Sequence, residues 1–336
     1  MKNSSKIVFE QERDFSDKIN VTFNFVTANF KPLCLSLLYL TGPLVLIGGI
    51  FSGLVQIAAL EVGGLAQGQS PEGTNPAEIF GEIIGKNTAY LLSANYFFAL
   101  LFIFLATIMV SATVYAFFIE YQESEEPTNI TVSMVWERVK GLFLPVLASI
   151  LSVTIALLII VLAFVLFISL ISSGAGSGVG ANLSIFLTGM LCFVTILYLG
   201  VIFILNTPIV AFEGLGTWEA FGRANHLIQQ KWWSTFGLMV IFAIINYFLS
   251  LIFSAPSIII TFLKIFKVGA GGTGNLPIII STIFATIGRV LISSLTYVAL
   301  SFQYFNLVER RDGNSLKSQI SDIGQKKTFE NEDEEY

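Results

Sequence analysis

Arg289 is a charged side chain placed to do chemistry inside a membrane. It lies about twelve residues into an apolar stretch running from Pro277 to Asn306, near the bilayer midplane at ~1.5 Å of rise per residue. A guanidinium at that depth costs about 2.5–3.5 kcal/mol on insertion scales and by default points into a helix bundle or a water-filled cavity. Its candidate partners are the amides Asn95, Asn206 and Asn246 and the hydroxyl of Ser293, in apolar stretches of their own or of the same helix. Arg289, Asn95, Asn206 and Asn246 together form a candidate intramembrane polar site. Two roles compete for it. The arginine either hydrogen-bonds these groups and fixes packing, or it contacts a substrate or lipid.

Other chemistries find little purchase. His226 is the only histidine, so a His-pair metal site cannot be built from one copy of this chain. It reads as a polar-face residue near the headgroups. Glu120, Glu123, Glu125 and Glu126 cluster in a loop and read as a solvated face. Cys34 and Cys192 fall in apolar stretches, where a thiol behaves as a small hydrophobe. The glycine clusters SGAGSGVGAN and VGAGGTGN lack the spacing and strand context of a phosphate-cradling loop. No catalytic residue, cofactor or metal is expected.

The elements that must position Arg289 are membrane helices. Of 336 residues, 54% are hydrophobic and 12% charged, with a mean hydropathy of +0.77; soluble domains carry roughly 25% charged residues. Apolar runs recur at Leu33 to Leu60, Thr88 to Ile119, Leu142 to Ser172, Leu183 to Phe212, Ser234 to Phe262 and Pro277 to Asn306, each longer than the ~20 residues needed to cross. The fold class is an all-α integral membrane protein with six transmembrane helices. Pro43, Asn206, Pro208, Asn246 and Pro256 are the polar or helix-breaking residues inside spans, and Gly49 with Gly53 have the small-xxx-small spacing that permits close helix approach.

Six spans put both ends on one side. Fourteen Lys and Arg lie in the termini and the even-numbered loops, against Lys86, Lys264 and Lys267 on the other side, so the termini are expected in the cytoplasm of a bacterial cell with the chain in its inner membrane. Residues 1–31 form a cytoplasmic segment with an interfacial amphipathic helix, 32–307 the six-helix domain, and 308–336 a charged, disordered tail in which Leu316, Ile320 and Ile323 are spaced for a short amphipathic turn. No targeting leader is expected, since the first 31 residues are polar.

Each odd-numbered span follows a stretch of amphipathic helical spacing: Phe15, Ile19, Phe23, Val26 and Phe30; then Val132, Val135, Trp136, Val139 and Phe143; then Trp218, Phe221, Ile228 and Trp232. Such helices lie in the interface plane. The chain thus reads as three units of one interfacial helix plus a transmembrane hairpin. Two of the joins carry a Phe-x-Pro, Phe30 with Pro32 and Phe143 with Pro145, a proline placement suited to the first turn of a helix.

Two stretches, Gly216 to Phe242 (GTWEAFGRANHLIQQKWWSTFGLMVIF) and Phe302 to Gly313 (FQYFNLVERRDG), resemble a broad group of bacterial integral-membrane proteins similar to the membrane domain attached to some glycerophosphodiester phosphodiesterases. The resemblance rests on Ala220 and Arg223, on Trp232 and Trp233, and on Tyr304 with Arg310 and Arg311. It implies a fold and a compartment. The catalytic domain of those enzymes has no counterpart here, because the chain has no soluble segment of barrel size.

The expected interfacial anchors are Trp136, Trp218, Trp232, Trp233, Tyr304, Arg310 and Arg311. The function expected is that of a non-enzymatic scaffold or accessory subunit of a membrane complex. Its partners would be membrane lipids and a second protein or a second copy of the chain, with no nucleic acid. The competing reading is a transporter or channel for a small anionic or lipid-like solute, with Arg289 at the midplane and the proline-broken spans as moving parts.

Overall fold

The computed structural model describes residues 6–66, 91–124, 129–174, 179–266 and 274–313. All regular structure among them is helical: α1 Phe15–Ala28, α2 Phe30–Ala66, α3 Ala94–Glu123, α4 Val132–Gly174, α5 Val179–Phe203, α6 Asn206–Glu213, α7 Thr217–Ile228, α8 Trp232–Ile265 and α9 Asn275–Asp312. Six spans are long and apolar enough to cross a membrane. The chain is a polytopic all-α membrane protein. The glycine-rich connectors at 67–90, 175–178 and 267–273, Glu125 and Glu126, and the tail from residue 314 with Leu316, Ile320 and Ile323 lie outside the described residues.

Two of the three expected interfacial helices are separate. α1 ends at Ala28 and α2 begins at Phe30 because Pro32 has no N–H for the Ala28 carbonyl and its ring crowds that oxygen. α7 stands apart from α8 behind Gln230, whose φ is +64°, and from α6 behind Gly214, whose φ is +66° and suits the left-handed close of a helix. The third is fused to its span. α4 runs unbroken for 43 residues, with Pro145 inside it rather than in a first turn. At ~1.5 Å per residue it is about 65 Å long, twice the hydrocarbon thickness of ~30 Å. Its first turns, with Glu137, Arg138 and Lys140, therefore extend beyond the hydrocarbon. The fourth span breaks at Leu205, where α6 restarts with Pro208 in its first turn.

The chain divides into two compact units, Met1–Ala28, Lys140–Val240 and Val298–Tyr336 in the first, and Asn29–Val139 and Ile241–Tyr297 in the second. In the second unit small residues bring helices close. A Cβ on Gly49 would sit 3.0 Å from the Ile283 Cα, and one on Gly53 2.8 Å from the Ile279 Cα, so this glycine pair packs α2 against α9 within the chain. Phe51 packs on the Phe98 and Phe102 rings of α3 at 5.1 and 6.2 Å. Gln56 ties three helices together: its amide donates to Thr261 Oγ1 at 2.8 Å and its carbonyl oxygen accepts from Thr282 Oγ1 at 2.6 Å. Glu120 and Glu123, expected as solvated, both pair with Arg138, the former at 3.1 Å.

The core of the first unit is aromatic. Phe9, in the extended segment before α1, meets the rings of Phe25, Phe302 and Phe305 at 5.9, 5.7 and 5.3 Å, and Phe212 meets Phe305 at 4.9 Å. Burying such rings supplies a large apolar area with directional edge-to-face contacts. That pins the N-terminal segment against the last turns of α9.

Candidate functional site

α1 is amphipathic in an inverted sense. Its apolar stripe faces outward, with Phe15 38% and Phe23 37% exposed, while Lys18 at 3%, Thr22 and Phe25 at 0% face the protein. A buried ammonium needs hydrogen-bond acceptors, and Lys18 Nζ donates to Ser234 Oγ in α8 and to Gln303 Oε1 in α9, both at 2.8 Å. The Gln303 amide in turn donates to Thr235 Oγ1 at 2.8 Å, which fixes the orientation of the oxygen offered to the lysine. Three turns of different helices are thereby locked to one side chain.

Above Lys18 lies a partly open cavity of about 160 Å³. Its walls carry four cations, Arg13, Lys18, Lys231 and Arg310, and one carboxylate, Asp14. Gln303 and Asn306, buried to 1% and 2% exposure, line its depth. Asp14 and Phe15 stand exposed at the rim. Asn306 Nδ2 donates to the Arg13 carbonyl at 3.0 Å, and Arg310 Nε donates to Asn306 Oδ1 at 3.3 Å. Arg310 is also 3.6 Å from the Glu12 carboxylate. Arg13 spends its guanidinium on the carbonyls of Phe9, at 2.8 Å, and Val8, and lies over the Phe302 ring at 5.4 Å. Burial pushes the Lys18 ammonium down to about 8, helped by the charges of Arg310 and Lys231 and opposed by Asp14.

A second polar cluster joins α6, α7 and α9. Arg223 Nε donates to Glu213 at 3.0–3.1 Å and its terminal nitrogens donate to Asp312. Tyr304 donates its hydroxyl to Glu213 Oε1 at 2.9 Å. The hydrogen bond to Asp312, with a further one to Glu213, raises the pKa of Arg223 against the opposing effect of burial. In this ion-pair clamp one guanidinium faces two carboxylates, so each charge has a partner of opposite sign. The walls of the cavity above Lys18 hold more cations than carboxylates, which makes it the stronger candidate for binding an anion.

The residues singled out in sequence are dispersed. Arg289 is exposed on α9 in the second unit, with no hydrogen bond or ion pair among the described residues. Asn95 is exposed at the start of α3. Asn246 donates to Thr296 Oγ1. Asn206 is fully buried in the first unit, where it accepts from Ser149 Oγ at 2.7 Å and donates to the Thr217 carbonyl at 3.0 Å. Arg289 hydrogen-bonds to none of these amides: Asn206 is satisfied by Ser149 and Thr217, while the buried Asn246 Oδ1 has no hydrogen-bond partner among the described residues. His226 lies exposed on α7. Among the described residues no three His, Cys, Asp or Glu side chains come together as a metal site.

The anchors divide. Trp218 and Trp233 are 79% and 77% exposed and Trp136 39%. Trp232 is half-buried, stacked on Tyr198 and Phe236 with its indole N–H donating to the Tyr198 carbonyl at 3.1 Å. Tyr304 is 3% exposed and belongs to the clamp, not the interface. Arg311 is exposed and donates to Gln229 Oε1 at 2.9 Å. Arg310 lines the cavity.

The family described as a domain of unknown function, DUF8558, matches residues 2–322. The chain belongs to that family. No curated protein and no solved structure matches it. The DUF8558 match takes in every helix from α1 to α9, so the cavity and the clamp are both built within the family's domain.

Sequence reasoning missed Lys18, Lys231, Gln303, Asn306, Glu213 and Asp312. A signal for the first was present: Lys18, Thr22, Phe25 and Asn29 recur at helical spacing opposite the aromatic stripe. Gln303, Asn306 and Arg310 do the same on α9.

Proposed function

We propose that this chain is a non-enzymatic scaffold or accessory subunit of the bacterial cytoplasmic membrane that engages anionic lipid headgroups at the face where α1 meets the ends of α8 and α9. The observation that carries the reading is the cavity whose walls hold four cations and one carboxylate. Lys231 and Ser234 stand where α8 enters its span, and Gln303 to Arg310 stand where α9 leaves its own, so the cavity lies at headgroup depth. The exposed Trp218 and Trp233 suit that depth, as indole rings collect at membrane interfaces. The excess of Lys and Arg in the termini and even-numbered loops supports a cytoplasmic location for this face, where anionic lipids draw basic segments.

Transport through a midplane arginine draws less support, since Arg289 is exposed and makes no hydrogen bond or ion pair with a described residue. The test of the headgroup reading is native mass spectrometry of the full chain released from nanodiscs that contain equal mole fractions of zwitterionic and anionic lipid. Anionic lipid retained several-fold over zwitterionic, and released as ionic strength rises, is the expected result. Equal retention of both would refute it.

A further inference from the structure

We propose that the cavity above Lys18 is a binding site for a phosphomonoester group, either the headgroup of a membrane lipid or a free phosphorylated solute. The inference rests on the headgroup reading above and narrows it to one chemistry.

Donors and acceptors are unequal in the cavity. Lys18 gives two of its three N–H groups to Ser234 and Gln303; the third makes no hydrogen bond with a described residue, and the ammonium lies over the Phe15 ring at 5.5 Å. The side chain of Lys231 makes no hydrogen bond or ion pair with any described residue. Arg310 gives Nε to Asn306 and otherwise faces only Glu12, at 3.6 Å, which is 58% exposed. On the acceptor side, Asp14 supplies the lone carboxylate of the walls, and it stands exposed at the rim. A ligand that fits must bring acceptors and more than one negative charge.

Packing alone does not account for this arrangement. A purely structural lysine is served best by acceptors and a carboxylate, yet Lys18 faces Arg310 and Lys231 across open space, and both charges oppose its own. Like charges held around a void are costly unless an anion fills it.

The choice among anions follows from charge and shape. A phosphomonoester carries about −1.5 to −2 at neutral pH and three strong acceptor oxygens. That matches three under-used donors, Lys18, Lys231 and Arg310, around one small space. A phosphodiester carries one charge and two free oxygens, and it must route a substituent away on both sides. A carboxylate likewise brings one charge. The cavity of about 160 Å³ has room for several water-sized groups, so it takes the phosphate itself and leaves the rest of the ligand outside. Phe15 at the rim, 38% exposed on the outward stripe of α1, is placed to meet an acyl chain or other apolar remainder.

The experiment uses the full chain in nanodiscs of zwitterionic lipid doped with equal mole fractions of phosphatidate or phosphatidylglycerol, read by native mass spectrometry. Melting of the detergent-solubilised protein is followed in parallel with inorganic phosphate or acetate at matched ionic strength. Phosphatidate retained about tenfold over phosphatidylglycerol supports a lipid ligand, since one added charge-assisted contact is worth about that factor. Melting raised by phosphate and not by acetate at matched ionic strength, without a phosphatidate preference, supports a free phosphomonoester. Equal retention of the two anionic lipids with no effect of phosphate overturns the inference and leaves the anionic-headgroup reading standing. Retention no better than zwitterionic lipid overturns both.

Lys231→Gln assigns the site, because that side chain is half-buried and supports no other residue. It is expected to abolish the preference without lowering melting, since it removes a charge that opposes Lys18. Lys18→Met probes the floor but removes partners of Ser234 and Gln303 as well. A preference that survives Lys231→Gln overturns the placement at this cavity.

Discussion

The ionisation of Lys18 gives a stability profile whose sign is opposite to that of most lysines. Burial, with Arg310 and Lys231 nearby and Asp14 opposing, lowers the folded-state value from 10.5 to about 8. The unfolded chain keeps the higher value. Between the two, the unfolded chain holds a proton that the folded protein has released, so stability rises with pH through that window. At neutral pH the charged amine weakens the fold, and the anion proposed above would relieve it. The groups facing Lys18 are Arg310 from α9, Lys231 ahead of α8, Asp14 ahead of α1, and Arg13 on the cavity wall.

The full difference corresponds to about 3 kcal/mol at ~1.4 kcal/mol per pH unit. Water entering a partly open cavity screens this to about 1–2 kcal/mol. The assay is equilibrium unfolding in mixed micelles, near pH 7 and near pH 10, on the parent and on Lys18→Met. Other titrating groups cancel in the double difference. The parent should gain about 1–2 kcal/mol on the variant as pH rises. A double difference below about 0.5 kcal/mol, the usual additivity error, or one of opposite sign, would refute the reasoning.

Arg223→Met should cost about 2 kcal/mol, between the values for exposed and buried ion pairs, because Arg223, Glu213 and Asp312 are each about one-fifth to one-quarter exposed; a double-mutant cycle with Glu213→Gln should give a coupling above about 1 kcal/mol. Gly53→Val should destabilise by about 1–3 kcal/mol, since its Cβ would press on the Ile279 Cα, whereas Gly42→Ala, with nothing within 4 Å, should be neutral in the same melting assay. Arg289→Leu should leave melting in detergent unchanged within about 0.5 kcal/mol, and a larger loss would reveal a packing role that its exposed position gives no reason to expect.

The six spans were legible because a membrane enforces a simple rule. A helix must carry about 20 apolar residues to cross, and the composition of this chain satisfies that rule six times. Their ends were less legible: the fused α4 follows from a stretch with no breaker before Pro145, which a membrane helix tolerates when neighbours satisfy its free carbonyls. The close approach of α2 to α9 at Gly49 and Gly53 was written in the small-residue spacing, although the partner helix was not.

The site was hidden for a different reason. Lys18 reads in sequence as one more positive charge on the cytoplasmic side, and its burial is decided by Gln303, 285 residues away. Local pattern cannot carry information about such a pair. What it can carry is which face of a helix is polar, and α1 shows that polarity alone does not tell inside from outside. In a soluble helix the apolar stripe seeks the core; in α1 Phe15 and Phe23 are partly exposed while Lys18 and Thr22 are buried against the protein. The same inversion gathers cations around a buried ammonium, where burial makes each unpaired charge costly. In the reading proposed above, an anion completes that cluster. The excess of cations over carboxylates, more than any motif, sets the cavity above Lys18 apart from the Arg223 cluster.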